Sequence, residues 1–153
     1  MLELELTSEQ QQMAFGAQLA AACEAPCVIY LEGDLGSGKT TLTRGFIRAM
    51  GHHGAVKSPT YTLLEPYPLG QVVCYHLDLY RLAAADELEY LGLRDLLDER
   101  AVMLVEWPEK GLGVLPPADL LIELSYCDAG RRIRLQGKSA KGRMLIQRFN
   151  GVD

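Results

Sequence analysis

The sequence contains no hydrophobic run long enough to cross a membrane. Its longest apolar stretches, such as residues 102–105 and 120–122, fall far short of the roughly 20 apolar residues that a spanning helix needs. Residues 1–6 alternate leucine with glutamate and carry no basic region, which differs from the pattern of a secretory signal. These absences predict a cytoplasmic protein without a membrane segment.

Cysteines are few and lack the spacing of a metal site. Neither they nor the adjacent His52 and His53 have the ligand spacing of a zinc site. Because the cytosol keeps thiols reduced, we expect mostly buried free cysteines rather than disulfides. The four cysteines are Cys23, Cys27, Cys74 and Cys127.

Basic residues are scarce in the first part of the chain and concentrated near its end. Residues 1–130 hold eight Lys or Arg and 19 Asp or Glu, whereas residues 131–150 hold seven basic residues and no acid. Such a segment is compatible with binding RNA, an acidic protein or a nucleotide, and equally with a solvated face of a hairpin and terminal helix. Its basic residues are Arg131, Arg132, Arg134, Lys138, Lys141, Arg143 and Arg148.

The order of hydrophobic patterns predicts alternating strands and helices within one domain, residues 1–153. Thr7 is the expected N-cap of a first helix, with Gln10 completing a capping box. Residues 86–97 are expected to form an amphipathic helix, and residues 66–71 a turn within a hairpin. Strands are predicted at residues 27–31, 61–65, 72–78, 101–106, 120–126 and 132–136, and further helices at residues 39–50 and 142–149.

Residues 33–40 read Gly-Asp-Leu-Gly-Ser-Gly-Lys-Thr, which is a complete phosphate-binding loop motif. The motif follows a short apolar strand and opens a helix, as its mechanism requires, because backbone amides at a helix N-terminus stabilise anions. Lys39 is expected to neutralise the β- and γ-phosphates, and Thr40 to bind Mg²⁺ through its hydroxyl. The expected nucleotide-binding residues here are Gly33, Gly36, Ser37, Gly38, Lys39, Thr40 and Thr41.

A carboxylate at the end of a neighbouring apolar strand usually gives Mg²⁺ its second protein contact, directly or through water. Glu106 ends the purely apolar run 102–105, and Asp78 ends the less apolar run 72–77. We favour Glu106 as the metal-side carboxylate and Asp78 as a group that supports the metal ligands or positions water. The alternative for each is a strand-end acid that faces solvent.

Thr60 lies on the segment after the second helix, between Pro59 and Tyr61. In nucleotide-dependent switches, a threonine on a loop at this point in the chain senses Mg²⁺ and the γ-phosphate. Thr60 is therefore a candidate catalytic or switch residue, with a capping hydroxyl beside Pro59 as the equal alternative.

The sequence favours ATP over GTP because it has no Asn-Lys-x-Asp motif to recognise guanine and no suitably placed Asp-x-x-Gly. A small-molecule kinase would add an arginine-rich lid and an acceptor-binding segment, for which this chain has little room. Hydrolysis of ATP is therefore the preferred activity.

Further motifs follow the loop in a fixed order, and with it they resemble the TsaE (YjeE) family. They are Lys57-Ser58-Pro59-Thr60-Tyr61-Thr62-Leu63, His76-Leu77-Asp78-Leu79-Tyr80-Arg81, Glu89 to Gly92, and Val105-Glu106-Trp107-Pro108. The resemblance covers nearly the whole chain. It implies a P-loop NTPase-like α/β fold, with a mostly parallel sheet, antiparallel hairpin extensions and flanking helices.

The resemblance also implies a function and partners. Members of this family are the small ATPases of the bacterial machinery that makes threonylcarbamoyladenosine at position 37 of tRNAs reading ANN codons, and they act with TsaB and TsaD. On matching positions, Thr40 and Glu106 would be the Mg²⁺ residues, and Glu9 and Arg131 would flank the ATP. Two alternatives remain open: a nucleotide-switched module that contacts tRNA through residues 131–148, and a small-metabolite kinase.

Overall fold

The computed structural model of the chain describes residues 1–34, 36–57, 59 and 62–150. None of the helices in these ranges is long and apolar enough to cross a membrane. Thr60, the predicted switch residue, lies outside the described residues, as do Leu35 of the glycine loop and the neighbouring Ser58 and Tyr61.

Within these ranges, seven strands form a single mixed sheet in the order β1-β7-β6-β2-β5-β4-β3. The four central strands, β6, β2, β5 and β4, are parallel, and antiparallel strands extend the sheet on both sides. This arrangement confirms the predicted fold class. The strands are β1 (Leu2–Leu6), β2 (Cys27–Glu32), β3 (Leu64–Leu69), β4 (Val72–Asp78), β5 (Ala101–Glu106), β6 (Leu120–Cys127) and β7 (Gly130–Gly137).

Helices α1 (Glu9–Ala22), α2 (Lys39–Ala49) and α4 (Ala140–Asn150) share one hydrophobic core with the sheet. A second core on other strand positions is covered by a 3₁₀ segment (Ala85–Leu91) and the short α3 (Leu93–Leu96). A further 3₁₀ turn (Pro108–Gly111) follows β5. Strand β5 contributes side chains to both cores and is buried along its whole length, which explains its continuous apolar sequence.

Helices α1 and α2 cross at two glycines. A Cβ atom on Gly16 would collide with the backbone carbonyl oxygen of Leu42, and one on Gly45 would collide with that of Met13. The absence of both side chains lets the two backbones touch. This contact holds the start of α1 against the start of α2, where the glycine loop ends.

Several local expectations were wrong. Ser8, not Thr7, is the N-cap of α1, and its side chain accepts a hydrogen bond from the amide of Gln11. In place of the predicted capping box through Gln10, the Gln11 side chain accepts a hydrogen bond at 2.6 Å from the amide of Thr7, the residue before the N-cap. The N-cap was therefore predicted one residue too early.

The predicted turn at residues 66–71 was too long, since Leu64–Leu69 is a strand and the reversal occurs at Gly70 and Gln71. Strand β3 is an edge strand, where prolines are tolerated because their missing N–H need not face a partner. The predicted helix at residues 86–97 is interrupted at Gly92, which has φ of 65°. Strand β1 was not predicted.

Candidate functional site

The glycine loop leaves β2 and enters α2 at the carboxyl end of the parallel strands. Gly36 and Gly38 have φ of 77° and 107°, which side-chain-bearing residues rarely adopt. A Cβ on Gly38 would also collide with the carboxamide of Gln12, a buried polar side chain of α1. Helix α1 thus packs against the loop through Gln12, at the point where the loop enters α2.

Lys39 is buried at the start of α2 and lies at the centre of the site. Its Nζ donates hydrogen bonds to the carbonyl oxygens of Gly33 and, at 3.1 Å, Asp34. The same Nζ lies 4.0 Å from the ring centroid of Trp107, a cation–π contact. Burial lowers the pKa of Lys39, while the nearby carboxylates of Glu106 and Asp78 act in the opposite direction.

Thr40 and Glu106 bring three oxygen atoms together beside the loop. The hydroxyl of Thr40 lies 3.4 Å from Oε1 and 3.5 Å from Oε2 of Glu106, which is long for an O–H···O hydrogen bond. Glu106 is buried at the end of β5. Its Oε2 accepts a hydrogen bond from Nε2 of His76 at 2.5 Å.

Asp78 lies next to Glu106 because the two are register partners at the ends of β4 and β5. Its Oδ1 accepts a hydrogen bond from the amide of Tyr80 at 3.1 Å. Burial and then the neighbouring Glu106 carboxylate raise the pKa of Asp78, against smaller opposing effects of the Tyr80 amide, His76 and Lys39. Two acids and a lysine therefore share one small volume.

A cavity of about 370 Å³ opens in front of these groups. It is lined by the loop and the first turn of α2 on one side and by the ends of β4 and β5 on the other. The lining residues include Gly36, Gly38, Lys39, Thr40, Thr41, Asp78, Glu106 and Trp107. The structure thus joins the loop and both predicted carboxylates in one cavity.

A second cavity, of about 350 Å³, lies on the other side of the loop. Glu9 and Gln12 of α1 line it together with Arg131 of β7 and the loop residues Gly36 and Gly38. The positions of Glu9 and Arg131, expected only from the family resemblance, are therefore adjacent to the glycine loop although 122 residues separate them in sequence.

Arg131 braces the loop in this structure. Its guanidinium donates to the carbonyl oxygens of Ser37 at 3.0 Å and Gly36 at 3.1 Å, and it stacks 4.2 Å from the ring centroid of Tyr126. Within the described part of the chain, the buried hydroxyl of Ser37 has no hydrogen-bond partner. A buried hydroxyl without a partner inside the loop is an observation that a bound polar ligand would explain.

His76, Gln12 and Tyr126 were not among the predicted site residues. His76 and Glu106 occupy the same face of the sheet, because Asp78, two residues beyond His76, is the register partner of Glu106. A histidine two residues before a strand-end acid was the available signal. Gln12 and Tyr126 act through contacts with the loop that sequence spacing does not reveal.

The basic segment 131–148 is partly neutralised by β1. Arg132 lies 3.1 Å from a carboxylate oxygen of Glu5 and 3.5 Å from one of Glu3, and Arg134 lies 3.5 Å from Glu3. Arg131 is engaged by the loop. The segment is therefore less available to phosphates than its composition suggested.

A glycine loop between a buried parallel strand and a helix, with carboxylates at the ends of two adjacent strands, defines a P-loop NTPase-like protein. Residues 6–133 match the family described as "Threonylcarbamoyl adenosine biosynthesis protein TsaE". The chain belongs to the TsaE family.

Individual relatives align with almost the whole of this chain. The tRNA threonylcarbamoyladenosine biosynthesis protein TsaE of Haemophilus influenzae is 44% identical over 150 residues, covering 95% of each chain. The protein of the same name from Bacillus subtilis is 38% identical over 139 residues, covering 90% of this chain and 87% of its own. The crystal structure of Bacillus subtilis YdiB superposes with a TM-score of 0.84 at 30% identity, covering 98% of this chain and 94% of its own.

Proposed function

We propose that this chain is a Mg²⁺-dependent ATPase that acts with TsaB and TsaD in threonylcarbamoyladenosine modification at position 37 of tRNAs reading ANN codons. The observation that carries the ATPase assignment is the convergence of Lys39, Thr40, Asp78 and Glu106 in one cavity in front of a glycine loop. Membership of the TsaE family supports the pathway. We also propose that residues 1–153 act as a single ATPase domain.

The phosphates would occupy the cavity side of the loop. Backbone amides of the loop and the N-terminus of α2 favour negative charge there. Lys39 now donates to the carbonyls of Gly33 and Asp34, so binding would exchange those neutral acceptors for phosphate oxygens. Such an exchange favours the phosphate because hydrogen bonds to charged acceptors are the stronger ones.

The residues present fit a magnesium ion. The oxygens of Thr40 and Glu106 are 3.4 and 3.5 Å apart, and an octahedral ion with ligands at about 2.1 Å separates adjacent oxygens by roughly 3 Å. Among the described residues there is no cluster of three or more His, Cys, Asp or Glu suited to a metal. A magnesium ion at this place would take its remaining ligands from phosphate and water. When bound, Mg²⁺ neutralises charge on the β- and γ-phosphates.

Asp78 is the best candidate to orient the attacking water, since it lines the cavity beside Glu106, the carboxylate that lies near the Thr40 hydroxyl. A carboxylate at this place can accept a hydrogen bond from that water and so orient it. Thr60 remains a sequence-based candidate for sensing the γ-phosphate. Both assignments are part of the proposal.

The adenosine end of ATP would lie in the second cavity, beside Glu9 and Arg131. That cavity borders Gly36 and Gly38, so a nucleotide could pass from one side of the loop to the other. The preference for ATP over GTP continues to rest on the absence of guanine-reading motifs in the sequence.

Reconstitution with purified TsaB, TsaD, threonylcarbamoyl-adenylate as the group donor and an ANN-reading tRNA tests the proposal. The chain should support ATP-dependent formation of threonylcarbamoyladenosine, measured by mass spectrometry of digested tRNA. Lys39→Ala should reduce both modification and ATP hydrolysis to background, whereas Lys138→Ala, an exposed lysine outside both cavities, should not. Equal modification with and without the chain would contradict the pathway assignment, and undiminished hydrolysis by Lys39→Ala would contradict the site.

A further inference from the structure

His76 is fully buried, and its side chain makes one hydrogen bond to the described residues. Its Nε2 lies 2.5 Å from Oε2 of Glu106, and its Nδ1 is buried without a hydrogen-bond partner among these residues. A proton on Nε2 fits this geometry, because that nitrogen faces the Glu106 carboxylate and a proton on Nδ1 would be a buried donor without an acceptor among the described residues. His76 therefore acts on Glu106 as a hydrogen-bond donor.

The register partners of His76 are Leu104 on β5 and Glu65 on β3, and the buried Cys74 lies two residues earlier on the same face of β4. Within the described part of the chain, the hydrogen bond of the His76 side chain goes to Glu106 and not to Glu65. A buried imidazole with one unsatisfied nitrogen is less favourable there than an apolar side chain of similar size. The structural role that remains is the contact with Glu106.

We propose that His76 is a positioning residue that fixes the Glu106 carboxylate for the metal ion of the site. This inference rests on the proposed Mg²⁺-dependent ATPase function. The donor holds Oε2 in place, which restricts rotation of the carboxylate and keeps Oε1 within 3.4 Å of the Thr40 hydroxyl. Without the donor, the Glu106 carboxylate would rotate more freely, and binding of the ion would have to restrict that rotation, which lowers metal affinity.

The size of the effect follows from the behaviour of other metal sites. Groups that hydrogen-bond to metal ligands typically change metal affinity or activity by about 10–100-fold when they are removed. We expect a loss in that range for His76→Leu. His76→Gln should recover most of the lost metal affinity, because the glutamine side chain is long enough to place an N–H donor near the position of Nε2.

The test measures metal affinity directly. Full-length protein, with ADP bound at stoichiometric ratio, is titrated with Mn²⁺ as the stand-in for Mg²⁺, and free Mn²⁺ is followed by electron paramagnetic resonance. The variants are His76→Leu, His76→Asn and His76→Gln, with Cys74→Ala as the control for loosening of the same strand and core. Thermal unfolding shows which variants are folded.

We expect Mn²⁺ to bind wild type, Cys74→Ala and His76→Gln with similar affinity, and His76→Leu about 10–100-fold more weakly. His76→Asn, whose amide is too short to reach Glu106, should resemble His76→Leu; it replaces that variant if leucine prevents folding. Wild-type affinity in His76→Leu or His76→Asn overturns the proposal, as does a folded His76→Gln as weak as His76→Asn. If wild-type protein with ADP binds no more Mn²⁺ than ADP without protein does, the result contradicts the proposed function and not the role of His76.

Discussion

Asp78 and Glu106 are register partners on adjacent parallel strands, so two carboxylates stand side by side where β4 and β5 end. Their environments differ. Glu106 is held by His76 and lies near the Thr40 hydroxyl, whereas Asp78 accepts only a backbone amide among its described hydrogen bonds. This difference is what we expect if Glu106 binds the metal ion and Asp78 orients the attacking water.

The two acids should differ in what their removal does to catalysis. Glu106→Ala is expected to lower metal-dependent ATP hydrolysis by more than about 100-fold, since even groups that only support a metal ligand contribute about 10–100-fold. Asp78→Ala should cost less and leave the apparent Mg²⁺ affinity close to wild type. Steady-state hydrolysis at varied Mg²⁺ separates the two effects. The reverse ranking would exchange the roles of the two residues.

Asp78 should also limit stability at neutral pH. Its pKa is raised in the folded protein, so the folded state binds the proton more tightly than the unfolded chain does, and stability falls as the pH rises through that interval. Asp78→Asn keeps an oxygen that can accept from Tyr80 but removes the charge. We expect it to be more stable than wild type at pH 7 in metal-free buffer, with the difference shrinking below the ordinary pKa of aspartate.

Urea unfolding from pH 3.5 to 7.5 measures this dependence. Asp86→Asn, at an acid outside both cavities, is the control for loss of one negative charge. An Asp78→Asn protein that is less stable than wild type at pH 7 would contradict the raised pKa that burial and the Glu106 carboxylate give Asp78.

The contact between α1 and α2 gives a stability prediction linked to the site. Gly16→Ala and Gly45→Ala each place a methyl group against a backbone carbonyl of the other helix. Overpacking of this kind costs about 1–3 kcal/mol, and more where the backbone cannot shift. Ala14→Ser, on an exposed position of α1, should have little effect. Chemical denaturation measures the loss of stability. Because the methyl group on Gly16 would also shift Gln12 away from Gly38, we expect Gly16→Ala to weaken nucleotide binding, which a nucleotide titration measures.

Direct contact with tRNA through residues 131–148 remains a separate prediction. Because Arg132 and Arg134 are paired with Glu3 and Glu5, the double variant Arg132→Ala/Arg134→Ala should change the slope of log affinity against log salt by less than about 1. Two free phosphate contacts would change it by roughly 2. Filter binding from 25 to 200 mM salt measures the slope. No binding of the isolated chain even at low salt would remove the hypothesis.

The parts of the fold that follow from local pattern could be predicted. Strong local signals mark the glycine loop, the helix after it and the continuous apolar run of β5. An acid that ends a buried parallel strand must lie where the carboxyl ends of the strands meet. Strand β1 was missed although residues 2–6 alternate leucine and glutamate, which is itself a strand pattern. Its partner, β7, is more than 100 residues away.

Other features depend on contacts between distant residues, which sequence spacing does not contain. The pairing of Glu5 with Arg132 neutralises part of the charge of the basic segment, and no local pattern indicates it. The hydrogen bond from His76 to Glu106 depends on strand register across 30 residues. Gly92 lies within a helical pattern, and only its left-handed conformation shows that the helix is broken there.

A crystal structure of the full-length chain with a non-hydrolysable ATP analogue and Mn²⁺ in place of Mg²⁺ tests the central claim most directly. The account predicts phosphates within the loop of residues 33–40, an anomalous metal peak beside the Thr40 hydroxyl, and Glu106 as the nearest protein carboxylate, in contact directly or through one water. A metal held by Asp78 and remote from Glu106, or phosphates bound away from the loop, would contradict it.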